Sequence, residues 1–314
     1  MPRKYTAKLS RFYNEHSNSC TNCGYLFKDE DRTHLGYLSN GNPAVLCDNC
    51  THLLKDAVVN HIWKAPEYEA PLPNETLWRY MDLAKFISLL EHKSLYFAAA
   101  NTFEDRFEGA KGIVERKEKW DVFYKKFFIE AMLTCPVEPK EEWTPEKLEK
   151  ESERLLYEMN SSGEKDRQFT FINCWHLNEH ESEAMWKLYS KDITNAIAIR
   201  TTVKDLKESF GNNYFPIGKV KYIDYEKEFA SINGAFWYKR KSFEYEKEVR
   251  VITRRHNIKE HGLYIPVDLM KLIKGVYISP YAPEWFVDVV KTVLRKYRLN
   301  IQISYSKLLE KPFF

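Results

Sequence analysis

Four of the chain's six cysteines fall as two Cys-x-x-Cys pairs, Cys20 with Cys23 and Cys47 with Cys50. Thiolates two residues apart grip a metal from a tight knuckle, and two such pairs make the ligand set of a structural zinc site. Four thiolates leave no open coordination position, so such a metal stabilises and does not catalyse. A disulfide reading would need an oxidising compartment, for which nothing in the sequence speaks. Cys135 and Cys174 read as plain buried cysteines. Far along the chain, residues 243–253 read FEYEKEVRVIT. As a strand this segment sends Glu244, Glu246, Glu248 and Arg250 to one face and Tyr245, Lys247, Val249 and Val251 to the other. Carboxylates crowded on one face make either a solvated strand edge or one wall of a cleft where a carboxylate meets developing positive charge. In the bland case Glu248 pairs with Lys239 or Arg250.

The elements that must position these groups follow from patterning. After the first cysteine pair comes Gly24, residues 33–46 read as a hairpin with Asn40-Gly41-Asn42 at its tip, and the second pair opens an apparent helix, CDNCTHLLKDAVVNHIW. That order is similar to a treble-clef zinc finger, assigned to residues 1–64. His52 suits the nuclease form of such a finger, but the second histidine has no counterpart, since His34 follows Thr33 and reads as a surface residue. Arg3, Lys4, Lys8 and Arg11 suit either a phosphate backbone or a solvated tail. Residues 65–75, proline-rich and without periodicity, read as a linker.

The main domain, 76–314, is set down by residues 77–109, which read as strand, helix, strand and polar turn. Asp82 caps a helix with Leu83, Phe86, Ile87 and Leu90 on one face, and 95–99 is a second strand. Residues 112–165 form a helical insertion in which Trp120 packs, Thr144-Pro145 starts a helix and Ser161-Ser162-Gly163 stops it. Strands at 169–175, 195–200, 217–222, 263–267, 275–279 and 300–305 alternate with helices capped by Ser182 and running over 203–210 and 283–297. The fold class is α+β with a mixed sheet. At 314 residues, with 48 basic and 45 acidic side chains and a net charge of +3, the chain neither demands nor excludes nucleic acid. No apolar run approaches the roughly 20 residues of a membrane span, and MPRKYTAKLSRFY has no hydrophobic signal core, so a cytoplasmic protein with no membrane partner is expected. No Gly-rich phosphate loop is present, which argues against a Rossmann or P-loop enzyme.

Leu77-Trp78-Arg79-Tyr80, the run SLYFAAANTFEDRFEG, Cys174-Trp175 followed by Ala184-Met185-Trp186 and Tyr189, and YEKEVRVI together resemble a bacterial family labelled as a domain of unknown function, DUF2971, over most of residues 76–308. The same pieces are similar to the three-part signature of ADP-ribosyltransferases. That resemblance implies an ADP-ribosyltransferase-like domain in which Arg79 holds NAD, Tyr96 packs on nicotinamide and Glu248 is the catalytic glutamate; Glu246, two residues earlier on the same expected strand face, is placed to position the acceptor nucleophile. The second motif is tyrosine-like, not the Ser-Thr-Ser that usually accompanies a first-motif arginine. Some members of this wider group are toxins of toxin–antitoxin or phage-defence systems. The expectation is an enzyme that consumes NAD as substrate, carries a structural zinc, modifies nucleic acid (RNA before DNA) and is restrained by an antitoxin protein. Two readings compete with it. One is a non-enzymatic, zinc-dependent nucleic-acid-binding protein that uses Lys239, Arg240, Lys241, Arg254 and Arg255 interleaved with Phe236, Trp237 and Tyr238; the other is a treble-clef nuclease.

Overall fold

Two hydrophobic cores far apart in sequence divide the chain into compact units, Met1–Glu67 and Tyr68–Phe314. The computed structural model describes residues 9, 12–13, 16–62, 67–134, 143–190, 192–255 and 260–314. Cys135, Arg3, Lys4, Lys8 and Arg11 lie outside the described residues. Among those described, no helix is long and apolar enough to cross a membrane.

In the first unit, β1 (Arg32–Leu38), β2 (Pro43–Leu46) and β3 (Leu54–Ile62) form an antiparallel sheet in the order β2-β1-β3. Gly41, at φ +79, supplies the left-handed residue that turns β1 into β2. Leu35, Tyr37, Val45 and Leu46 pack with the cysteines in a small core. The helix expected from Cys47 onward is not formed. A 3-10 turn, Asp48–Leu53, leads directly into β3, which pairs with β1 from Arg32↔Ile62 to Leu38↔Leu54. The valine-rich run suits a pleated strand, and pairing it covers the edge of β1 that β2 leaves open. The helix that a treble clef requires is therefore replaced by a third strand.

The second unit holds β4 (Thr76–Asp82), β5 (Ser94–Ala99), β6 (Thr170–Leu177), β7 (Ala196–Thr202), β8 (Ile217–Lys219), β9 (Lys221–Ile223), β10 (Tyr238–Arg240), β11 (Glu248–Arg254), β12 (Gly262–Pro266), β13 (Gly275–Ile278) and β14 (Ile303–Tyr305). Nine of these strands make one mixed sheet in the order β12-β5-β6-β4-β7-β13-β14, with β11 and β8 branching from β6. The parallel pair β9 and β10 stands apart. Leu77, Met81, Leu95, Phe97, Trp175, Ile197, Ile199 and Val249 point to one face, which the helices Leu83–His92, Val203–Ser209, Leu269–Leu272 and Glu284–Lys296 cover. Asp82 accepts from the Lys85 N–H at 2.8 Å and caps the first of these helices, as its position after a β-prone run implies.

The sheet forks at β6. β11 lies along the whole of one edge, from Glu248↔His176 to Arg254↔Thr170. The other edge is shared: β4 takes its end through Leu77↔Leu177 and Trp78↔His176, and β5 takes its start through Ala98↔Ile172 and Ala99↔Phe171. The registers leave Asn173, Cys174 and Trp175 with no strand partner on that edge among the described residues. The Asn173 side chain fills the gap, donating to the Tyr96 carbonyl at 2.8 Å and accepting from the Trp175 indole N–H at 2.7 Å. Beyond it β4 and β5 diverge.

Several local expectations need correction. Residues 243–246 are not strand: a 3-10 turn, Lys241–Glu246, ends at Lys247 with φ +40, and only then does β11 begin. A left-handed residue breaks the period-two count, so Glu244 and Glu246 do not continue the face of Glu248. The helix Pro145–Phe169 runs through Ser161-Ser162-Gly163 without stopping. Partners on the helix Lys117–Leu133 hold it there, with Trp120 donating to Asn160 at 3.2 Å, Asn160 to Asp121 at 3.2 Å, and Lys125 to Glu149 and Glu153. Residues 217–222 break at Val220 into two short strands. Tyr68, expected in the linker, belongs to the second unit, where its ring lies 4.3 Å from that of Trp237.

Candidate functional site

Divergence of β4 and β5 opens a cavity of about 410 Å³ at the fork, and Arg79, Tyr96, Glu246 and Glu248 all line it. Arg79 enters from the face of Leu77 and Met81, and its guanidinium lies 5.8 Å from the Trp175 ring centre. Its Nη1 is buried without a hydrogen-bond partner. Burial pulls its pKa down to about 10, so it remains a cation at neutral pH. That one buried N–H is left for an acceptor brought in by a ligand, and an anionic acceptor suits a cation best.

Tyr96 stands on the other face of the sheet, since β5 alternates Leu95, Phe97 and Ala99 into the core with Tyr96 and Ala98 away from it. Its ring lies over Gly262 of β12, where an added Cβ would come within 2.1 Å of the ring carbon Cζ, and it meets Tyr264 edge-on at 5.2 Å. Glycine at 262 is what admits the ring. Tyr96 is 40% exposed and lines the cavity, within reach of a ligand there.

Glu248 begins β11 and is 5% exposed. Its Oε1 accepts from Arg250 Nε at 2.9 Å and its Oε2 from Arg250 Nη2 at 3.2 Å and Lys239 Nζ at 3.4 Å. Burial acts to raise its pKa, but the charges of Arg250 and Lys239 outweigh it and hold the carboxyl at about 2. Arg250, fully buried, is gripped from its far side by Glu108 at 2.5 and 2.8 Å. Lys239 also donates to Glu246. Burial pushes the Glu246 carboxyl up, against the pull of Lys239. Both bland partners foreseen for Glu248 are thus real, yet neither makes it a solvated edge: β11 lies between β6 and β8, and the cluster is interior.

Three polar groups in or behind this wall had no signal in the sequence. Glu108 ends the polar turn after β5, Asn173 sits in an apolar run, and His176 lies directly across from Glu248. His176 Nδ1 is 2.6 Å from the Glu246 carbonyl oxygen, which can only accept, so Nδ1 carries the proton. Cys174 also lines the cavity, half-buried and not a core cysteine, and burial with the Glu248 charge keeps it a protonated thiol. The basic–aromatic stretch before Glu246 is no open platform, because Phe236 and Trp237 are buried and Lys239 is ion-paired inside.

In the first unit, Cys20, Cys23, Cys47 and Cys50 bring their sulfurs within 4.8 Å of one another. The Cys23–Cys47 sulfur separation is 3.8 Å, and a tetrahedron with metal–sulfur bonds of about 2.3 Å has an edge of about 3.8 Å. Gly24, at φ +73, lets its N–H return to the Cys20 carbonyl at 2.9 Å and closes the first knuckle. Asn22 donates to Cys50 Sγ at 3.4 Å, an outer contact of the kind that orients a metal ligand. The four residues fit a metal ion such as zinc. His34 is not on the surface: it is buried between Asn60 at 2.8 Å and Asp48 at 2.5 Å, which removes it as a free ligand for a nuclease centre. Compared with known proteins, the chain matches no family model, no curated protein and no solved structure, so the reading of the site rests on its own geometry.

Proposed function

We propose that the forked domain is an ADP-ribosyltransferase-like fold whose cavity binds NAD as substrate and transfers its ADP-ribosyl group to an acceptor. The observation that carries this reading is that Arg79, Tyr96, Glu246 and Glu248 line one cavity. Breaking the bond from nicotinamide to ribose builds oxocarbenium-like positive charge, and a carboxylate that is ionised at neutral pH stabilises it. Glu248 is such a group. Arg79, with an unsatisfied buried N–H, offers its fork to the diphosphate, and Tyr96 offers a ring face to nicotinamide. Glu246, joined to Glu248 through Lys239 and lining the same cavity, is the group proposed to position the acceptor nucleophile.

Zinc is the metal proposed for the four cysteines. The acceptor is proposed to be nucleic acid, RNA before DNA. A toxin role with an antitoxin partner follows from the family resemblance alone. The test is nicotinamide release from NAD by the purified protein, with mixed-sequence RNA present, beside Glu248→Gln. The variant should lose about 10²-fold or more in turnover with NAD affinity nearly unchanged. Equal turnover by variant and parent would remove Glu248 from the mechanism.

A further inference from the structure

Of the buried side-chain atoms without a hydrogen-bond partner among the described residues, two belong to residues that line the fork cavity: the donor Arg79 Nη1 and the ring nitrogen His176 Nε2. Arg79 has a role in the proposed function; His176 does not. His176 is 6% exposed, and its ring is fixed from several sides. Nδ1 donates to the Glu246 carbonyl at 2.6 Å, Glu248 lies across the ladder on β11, Trp78 lies across on β4, and the Tyr80 ring centre is 6.2 Å away. Because Nδ1 holds the proton, Nε2 of the neutral ring is a bare lone pair. A buried acceptor with no partner is costly to leave unmet, and on a residue that lines the cavity it is available to an N–H or O–H brought in by a ligand.

We propose that His176 Nε2 is the general base for the nucleophile that attacks the ribose carbon in the transfer step. The idea rests on the transferase reading of the cavity. As the nucleophile's N–H or O–H oxygen or nitrogen bonds to that carbon, nicotinamide leaves with the electron pair of its glycosidic bond. The nucleophile's proton passes to Nε2, giving an imidazolium that later returns it to water. The charged and titratable groups around the ring are Glu246, Lys247 and Glu248 of the turn and β11, Lys239 paired to those carboxylates, Cys174 on its own strand, Arg79 and Tyr80 of β4, and Tyr189 of the helix Glu183–Tyr189. Burial and Lys247 lower the imidazole pKa, against the bond to the Glu246 carbonyl, so the base is free over a wider range of pH than an ordinary histidine.

His176→Asn retains an amide N–H where Nδ1 was and deletes Nε2, which makes it the selective variant. With NAD and mixed-sequence RNA as probes, the parent's kcat/KM for nicotinamide release should fall on the acid side with an apparent pKa below that of ordinary histidine. In the variant the rate should drop about 10²-fold and that limb should vanish, while NAD binding, measured by calorimetry, is kept. A variant with the parent's rate and acid limb overturns the role of His176 and leaves the transferase reading standing. A parent that releases no nicotinamide overturns both. Should the variant not fold, the imidazole nitrogen resonances of the parent decide: a protonated Nδ1 and bare Nε2 at neutral pH support the proposal, and a proton on Nε2 overturns it.

Discussion

Glu248 owes its charge to neighbours and not to solvent, which gives it a signature in stability as well as in turnover. Its pKa is held at about 2 in the folded chain against an ordinary 4.5. A carboxyl with a depressed folded pKa stabilises the fold above its unfolded pKa and loses that contribution as pH falls through the folded one, so the window here runs from 4.5 down to about 2. The contribution is on the order of 3 kcal/mol. Urea unfolding of parent and Glu248→Gln should therefore differ most near neutral pH, and the gap should narrow as pH drops through that window; a gap independent of pH would contradict the depressed pKa. Tyr96 permits a second test at this scale. Gly262→Ala puts a methyl into its ring, and the ring is the movable partner. Unfolding free energy should change by less than about 1 kcal/mol, while NAD affinity should fall about tenfold if that ring is the nicotinamide platform. Unchanged affinity would release Tyr96 from the role.

At the scale of elements, the fork makes the cavity, and Asn173 makes the fork tolerable. Its amide satisfies the Tyr96 carbonyl and the Trp175 indole at the point where β4 and β5 part. Asn173→Ala leaves both groups unsatisfied, at about 1–3 kcal/mol each, so urea unfolding should show a loss of about 2–6 kcal/mol. A loss under about 1 kcal/mol would mean that other groups hold the strands apart. The sequence showed β4, its helix and β5 with nearly correct bounds, because Leu77, Met81, Phe86 and Leu90 repeat with clean periods and Asp82 caps by type. It also picked out four residues that the fold brings to one cavity. It did not show the fork, which depends on β6 accepting two partners on one edge, a matter of register between residues about 75–100 positions apart. Nor did it show the break at Lys247, since alternating glutamates read as strand until a left-handed residue is known. His176 and Glu108 escaped for the same reason: their neighbours come from distant strands and turns.

For the whole molecule, the division into two units sets apart what the metal should stabilise from what it should not. The unit Met1–Glu67 has a small core in which three of the cysteines are themselves buried members. A unit of this size buries too little apolar surface to be secure on its own, so metal binding supplies much of its folding free energy. The unit Tyr68–Phe314 has a core drawn from its large sheet and the helices over it, with no cysteine in that cluster. All tryptophans except Trp63 lie in the second unit, so intrinsic fluorescence reports mainly on it. Purified protein should carry one zinc per chain, and Cys20→Ser should abolish stoichiometric binding. The same change, or a strong chelator, should remove a calorimetric transition belonging to the first unit while the fluorescence melt of the second stays within a few degrees of the parent's. Substoichiometric metal in fresh protein, or a Cys20–Cys23 disulfide in the native state, would refute the zinc site. A fluorescence melt that collapses with the metal would instead show that the sheet domain depends on the finger for its stability.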